Sequence, residues 1–220
     1  MTWRSESPSF FSMTFERLWA KEHAVLLREL RAHFGGEIIE PKSDRRLDSS
    51  LQRGYSVEPS YFVYPAFQCE ISGVPLKVEI SEMALDGQVS LPDERTVEYL
   101  VLRTRSHTPG NFRIRPEGIF DRVRKALKLH WEHETGDKEF DHLFNIDLPD
   151  HRASPALARP DVRALIVQLL PFEYLQAHPG GLRHSTMIED PQQLSRDYVF
   201  QRLERLVELA TILRDDHSDA

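Results

Sequence analysis

The sequence predicts an α+β fold: a mainly antiparallel sheet packed by long N-terminal and C-terminal helices. Three observations carry this. Near the start, apolar residues recur every three or four positions from Phe15 through Leu18, Trp19, Leu26 and Leu30 to Phe34. The same spacing returns near the end at Val199, Leu203, Leu206, Val207, Ala210 and Leu213. Between them lie runs in which apolar and polar residues alternate, the period of a strand with one buried face.

The first helix is expected from about Ser12 to Phe34, stopped by Gly35-Gly36, since glycine accepts the left-handed backbone that ends helices. Residues 41–59, with SDRRLDSS at their centre, have no sustained period and read as loop. A hairpin follows. Phe67, Cys69 and Ile71 alternate with polar residues, Ser72-Gly73 supplies a two-residue turn, and Val74, Leu76, Val78 and Ile80 alternate on the return. This register puts Ile71 opposite Val74, Cys69 opposite Leu76 and Phe67 opposite Val78. A slip of one residue would turn every apolar side chain to the wrong face.

Thr96 to Thr104 reads as a central strand, being apolar at both parities. A turn over 107–111 leads to Phe112–Arg115, pairing back as a second hairpin. A second helix is expected over 117–131, then a Gly136-Asp137 turn and a strand over 142–148. Ser154-Pro155 and Pro160 each suit a helix start. Asp161–Leu170 forms a short helix, and 172–177 with 182–187 a last hairpin. Asp190-Pro191 opens the final helix, with Gln193 at the capping-box position.

At 220 residues the chain suits a single α+β domain, with residues 130–150 as the place where it could divide. The formal charge of −7 argues against a dedicated nucleic-acid binder. One cysteine, Cys69, leaves no intramolecular disulfide and no multi-cysteine zinc site. Residues 1–10 lack the apolar run of a signal peptide, and the run 164–170 is interrupted by Gln168 and stopped by Pro171. The expectation is a cytoplasmic protein with no membrane span.

Charge is unevenly spread. Residues 103–128 hold eight Lys or Arg against two acids, and residues 132–150 hold seven acids and one lysine. In the second hairpin Arg105 would face Arg113 and Arg103 would face Arg115, placing four guanidinium groups on one face. The more economical arrangement lets the acids of 132–150 neutralise them. The alternative is an exposed anion site made of Arg103, Arg105, Arg113 and Arg115.

Other chemistry is thinner. His130, His133 and Glu134 sit within one helical turn, but their spacing matches no metal-binding pattern, and a solvated helix end is the simpler reading; no metal and no cofactor are expected. His184-Ser185 near Asp190 is a catalytic triad in composition alone, and no GxSxG, P-loop or GxGxxG is present. The series Gly136-Asp137-x-x-Phe140-Asp141-x-x-Phe144, with Pro160-Asp161-Val162-Arg163 and the apolar helix after it, resembles a pattern in uncharacterised bacterial domain proteins, some of them membrane-tethered. It covers residues 130–172 and implies no activity, cofactor or catalytic residue.

Two functions follow. The first is a non-enzymatic protein-binding or regulatory module that engages a protein partner or itself. The other is an enzyme acting on a phosphorylated or otherwise anionic substrate through the arginine face. They part on whether those arginines line a cleft or lie under acidic side chains.

Overall fold

The computed structural model describes residues 19–40, 61–62, 64–84, 96–118, 133–149 and 153–215. Among these residues nine strands form one sheet: β1 (Glu37–Ile39), β2 (Tyr61–Phe62), β3 (Ala66–Ile71), β4 (Val74–Ala84), β5 (Thr96–Thr104), β6 (Phe112–Pro116), β7 (Phe144–Asp147), β8 (Tyr174–His178) and β9 (Gly181–Met187). The spatial order is β1-β3-β4-β5-β9-β8-β6-β7, with β2 also on β4, and every pairing is antiparallel. The helices are α1 (Ala20–Phe34), α2 (Lys138–Leu143), α3 (Ser154–Ala158), α4 (Pro160–Gln168) and α5 (Arg196–Asp215). The class is α+β. No described helix is long and apolar enough to cross a membrane.

The β3–β4 hairpin has the register that its alternation dictates: Phe67 opposite Val78, Cys69 opposite Leu76, Ile71 opposite Val74. Ser72 and Gly73 both have positive φ, at 52° and 76°, so the two-residue turn twists in the sense of the strands it joins. Phe67, Val74, Leu76 and Val78 are buried, while Cys69 and Ile71 are half-buried beneath a sheet margin that only three-residue β1 extends.

One face of the sheet, formed by Val78, Ile80, Leu100, Leu102, Ile114, Phe144, Ile146 and Leu175, shares a continuous core with side chains from all five helices. Within α5, Val199, Leu203, Leu206, Val207, Ala210 and Leu213 are all buried, the stripe that their spacing predicts. The predicted start at Asp190 is instead a 3₁₀ turn over Pro191–Leu194, closed by the Asp190/Gln193 capping box, and the α-helix begins at Arg196. At the other end α1 buries His23, Leu26, Leu27 and Leu30. Its expected upstream turns, the loop 41–59 and all of the second helix beyond Gly118 lie outside the described residues.

Two expectations are corrected. The strand expected over 142–148 begins only at Phe144, and residues 138–143 before it form a short helix, because the Asp137 carboxylate caps it, accepting from the backbone N–H of Glu139 and Phe140. The second correction matters more: β5 and β6 are not a hairpin. The β8–β9 hairpin lies between them, with β9 on β5 and β8 on β6. Neighbours in sequence usually pair, but here a hairpin some seventy residues downstream brings Ala177, Leu182 and Leu175 into the core between them.

Two buried histidines should make the fold acid-sensitive. His184, fully enclosed, donates from Nε2 to the carbonyl of Leu169 at 3.2 Å, and His23 packs edge-on against Tyr64. Burial lowers both pKa values to about 4. Below pH 6.5 the unfolded chain binds protons that the native state refuses, so stability falls as pH drops from about 6.5 towards 4, by about 3 kcal/mol for each histidine. Urea midpoints measured across that range should show the slope, and His184→Gln should shallow it while keeping a neutral donor for Leu169.

Candidate functional site

On the sheet face opposite the main core a polar row crosses the strands. Successive register partners are Glu37, Gln68, Lys77, Arg103, Arg183, Gln176, Arg113 and Asp147. Three cations, Lys77, Arg103 and Arg183, therefore sit directly opposite one another on β4, β5 and β9. Adjacent strands lie about 4.8 Å apart and like charges directly across them repel, so this arrangement opposes folding unless negative charge intervenes.

Glu79 supplies part of that charge. It is two residues on from Lys77, so it shares the same face, and it is buried. One oxygen pairs with Lys77 Nζ and the other accepts from Arg103 Nη2 at 2.8 Å. Among the described residues none offers Arg183 an acceptor. It is 9% exposed, and its Nε and Nη2 are buried with no hydrogen-bond partner. Desolvation pulls its pKa below the ordinary arginine value, with Arg103 and Arg113 adding to the effect and Tyr174 and Glu79 opposing it. Its guanidinium lies 5.2 Å from the centroid of the Tyr174 ring, and that of Arg113 lies 4.8 Å from the same ring. A cation–π contact recovers only about 0.5–2 kcal/mol, less than a buried charge needs.

Four members of the row, Gln68, Lys77, Arg103 and Arg183, border a cleft of about 780 Å³. Lys77, Arg103, Arg105, His107, His178 and Arg183 give it charge, and Cys69, Pro75, Leu76 and Leu182 give it apolar wall. The β8–β9 turn forms one side. Gly181, at φ 142°, sits where any Cβ would fall 1.9 Å from the Thr104 carbonyl oxygen, so only glycine lets the two backbones meet. Leu182 N–H then donates to Thr104 Oγ1 at 3.0 Å, and Thr108 Oγ1 donates to the His178 carbonyl at 2.5 Å. These bonds fix His178 and Arg183 beside the end of β5. Arg105, exposed, continues the ladder through its own N–H to the Pro75 carbonyl at 2.8 Å.

His178 faces this positive field. Desolvation, then the charges of Arg103 and Arg183, hold its pKa below the ordinary histidine value. Its Nδ1 accepts from Gly180 N–H at 3.0 Å, so in the neutral ring the proton is on Nε2. Burial pushes the pKa of the Cys69 thiol up to about 11, which disfavours the thiolate.

Of the four arginines singled out from sequence, Arg103 and Arg105 line the cleft. Arg113 belongs to the same row, separated from Arg183 by Gln176, and Arg115 lies further along β6 opposite Asn145. They share a face, as expected, without facing one another. Lys77, Arg183 and His178 were missed. Arg183 and Ser185 alternate with buried Leu182, His184 and Thr186, which marks Arg183 as pointing away from the core, but nothing local places it against Arg103.

Of the acids of 132–150, Asp147 stands directly opposite Arg113 on β7. None of the described ones lines the cleft, and the carboxylate on Arg103 is Glu79. Asp137 caps α2 and binds Arg163 Nε at 3.1 Å, while Asp141 accepts from the Thr135 N–H and hydroxyl at 3.0 and 2.8 Å. Arg163 also donates to the carbonyls of Leu157 and Ala158, so the Gly-Asp-x-x-Phe-Asp and Pro-Asp-Val-Arg segments form a structural clasp between α2 and the α3–α4 corner. His133 Nε2 lies 3.3 Å from Ser154 Oγ, and no group of three metal-ligating side chains occurs among the described residues; His130 is outside them. His184 and Ser185 point to opposite faces of β9 and form no triad.

No protein-family model matches the chain, and no curated protein does. Among solved structures it is similar to the mycobacterial trehalose monomycolate transport factor A, TtfA, with a TM-score of 0.50 and 11% identity over 88% of this chain and 94% of that one. Identity at that level speaks for a shared fold alone.

Proposed function

We propose that the protein is a non-enzymatic binding or regulatory module whose recognition site is the cationic cleft, which receives an anionic group of its partner. The observation that carries this reading is Arg183: a buried guanidinium with two unpartnered nitrogens, on the wall of an open cleft, beside two cations that share a single carboxylate. Negative charge brought by a ligand would offset a desolvation that the protein itself leaves unmet. The described residues of the cleft include no carboxylate placed as a general base and no activated nucleophile. A single domain in the cytoplasm, pairing with a protein or with itself, belongs to the same proposal.

The test is titration of acidic peptides and simple anions against the wild type and an Arg103→Ala/Arg113→Ala double variant. Binding that weakens with salt and is lost in the variant supports the module. A folded wild type that binds none of them rejects it. His178 favours a second reading, an enzyme for a phosphorylated substrate, since a neutral imidazole on the same cleft as Arg103 and Arg183 offers its Nε2–H as a hydrogen bond to whatever they bind. Turnover of a phosphate ester abolished by His178→Gln would establish that reading in place of the first.

A further inference from the structure

We infer that the cleft is built for a phosphate monoester dianion rather than a carboxylate, an inference that rests on the cleft being the recognition site. The protein already shows what one carboxylate achieves there. Glu79 turns one oxygen to Lys77 and the other to Arg103 and makes no hydrogen bond to the buried Nε or Nη2 of Arg183. A second carboxylate, with a single charge, would balance only one of the two guanidinium groups that lack an ion pair. Around the cleft stand Arg103, Arg105, Arg183 and His178. Neither Arg105 nor Arg183 makes an ion pair among the described residues, so two guanidinium charges stand unanswered in a protein whose net charge is −7. A phosphate monoester carries up to two negative charges at neutral pH and three terminal oxygens, which matches both the charge and the spread of donors over β5, β9 and the β8–β9 turn.

The shape points the same way. A cleft of about 780 Å³ falls within the usual range for small-molecule sites and far exceeds one phosphate group. The remaining space is walled by Pro75, Leu76 and Leu182, which suits the organic part of an ester.

The experiment is calorimetric titration of the full chain at pH 7.5 and constant ionic strength with glycerol phosphate, a serine-phosphorylated peptide, acetate and succinate. The imidazole of His178 is followed by NMR in parallel. The phosphate esters should bind at least about tenfold tighter than either carboxylate, the difference expected of doubly charged, multidentate pairing. Preference for the small ester or for the peptide would identify its source, and either supports the dianion. On saturation the pKa of His178 should rise, because the bound charge offsets Arg103 and Arg183. Arg183→Gln should lose most of the binding. Since that change touches a buried residue, the exposed Arg105→Gln provides the fold-neutral check and should weaken the ester about threefold or more while leaving acetate unaffected. Equal affinity for succinate and the esters overturns the dianion and leaves the cleft as a recognition site. Failure of all four ligands to bind removes both.

Discussion

Leu206→Ala should destabilise the protein by about 2–5 kcal/mol, a large share of the stability of an ordinary domain. The side chain is fully buried on α5, and its stripe joins the core formed by β4, β5 and β9. Truncation removes the transfer free energy of the lost methyl groups and leaves a cavity that a twenty-residue helix, held along its whole stripe, cannot collapse to fill. The exposed Glu204→Ala on the same helix should stay within about 0.5 kcal/mol of wild type. Urea unfolding of the two variants checks both. A midpoint for Leu206→Ala equal to that of Glu204→Ala would mean that α5 docks and undocks independently of the sheet. The helix also touches the cleft region: Ser106 Oγ donates to the Ala210 carbonyl at 3.2 Å, next to Arg105. Loosening α5 should therefore weaken anion binding as well as stability.

What the sequence revealed divides along the range of the physical forces involved. The β3–β4 register was legible because period-2 alternation and a Ser-Gly turn are both local, and only one register keeps Phe67, Leu76 and Val78 inside. The buried stripe of α5 was legible for the same reason, through its 3.6-residue period. Helix α2 escaped notice because six residues are too short to show a period; its signal was the N-cap Asp137. The placement of β8–β9 between β5 and β6 depends on contacts across about eighty residues of chain, and neither propensity nor spacing reaches that far. The site inherits this division. That Arg103 and Arg113 share a face follows from strand parity. That Arg183 stands between them, and that Glu79 rather than an acid of 132–150 answers Arg103, follows only from topology.

Glu79→Ala should move stability and anion affinity in opposite directions. Removing the one carboxylate that Lys77 and Arg103 share leaves those two cations and Arg183 side by side on adjacent strands. Losing one partner of a buried ion pair costs about 3–5 kcal/mol where both charges are enclosed. Here the side chains of Lys77 and Arg103 are 33% and 39% exposed, so water screens part of the repulsion and the loss should fall near 2–3 kcal/mol. The same deletion frees Arg103 for a ligand and deepens the positive field, so an anion entering the cleft should bind more tightly to the variant than to wild type. Binding to the native state alone then returns stability, by about 2.7 kcal/mol at a ligand concentration one hundred times its dissociation constant. Urea midpoints of wild type and Glu79→Ala, each with and without glycerol phosphate, measure all three effects. The variant should be less stable without ligand and should gain more from its addition. If Glu79→Ala lost stability but phosphate restored none of it, Glu79 would be a structural counterion and the cleft no anion site. If it lost none, the row of cations would be held by something other than this carboxylate.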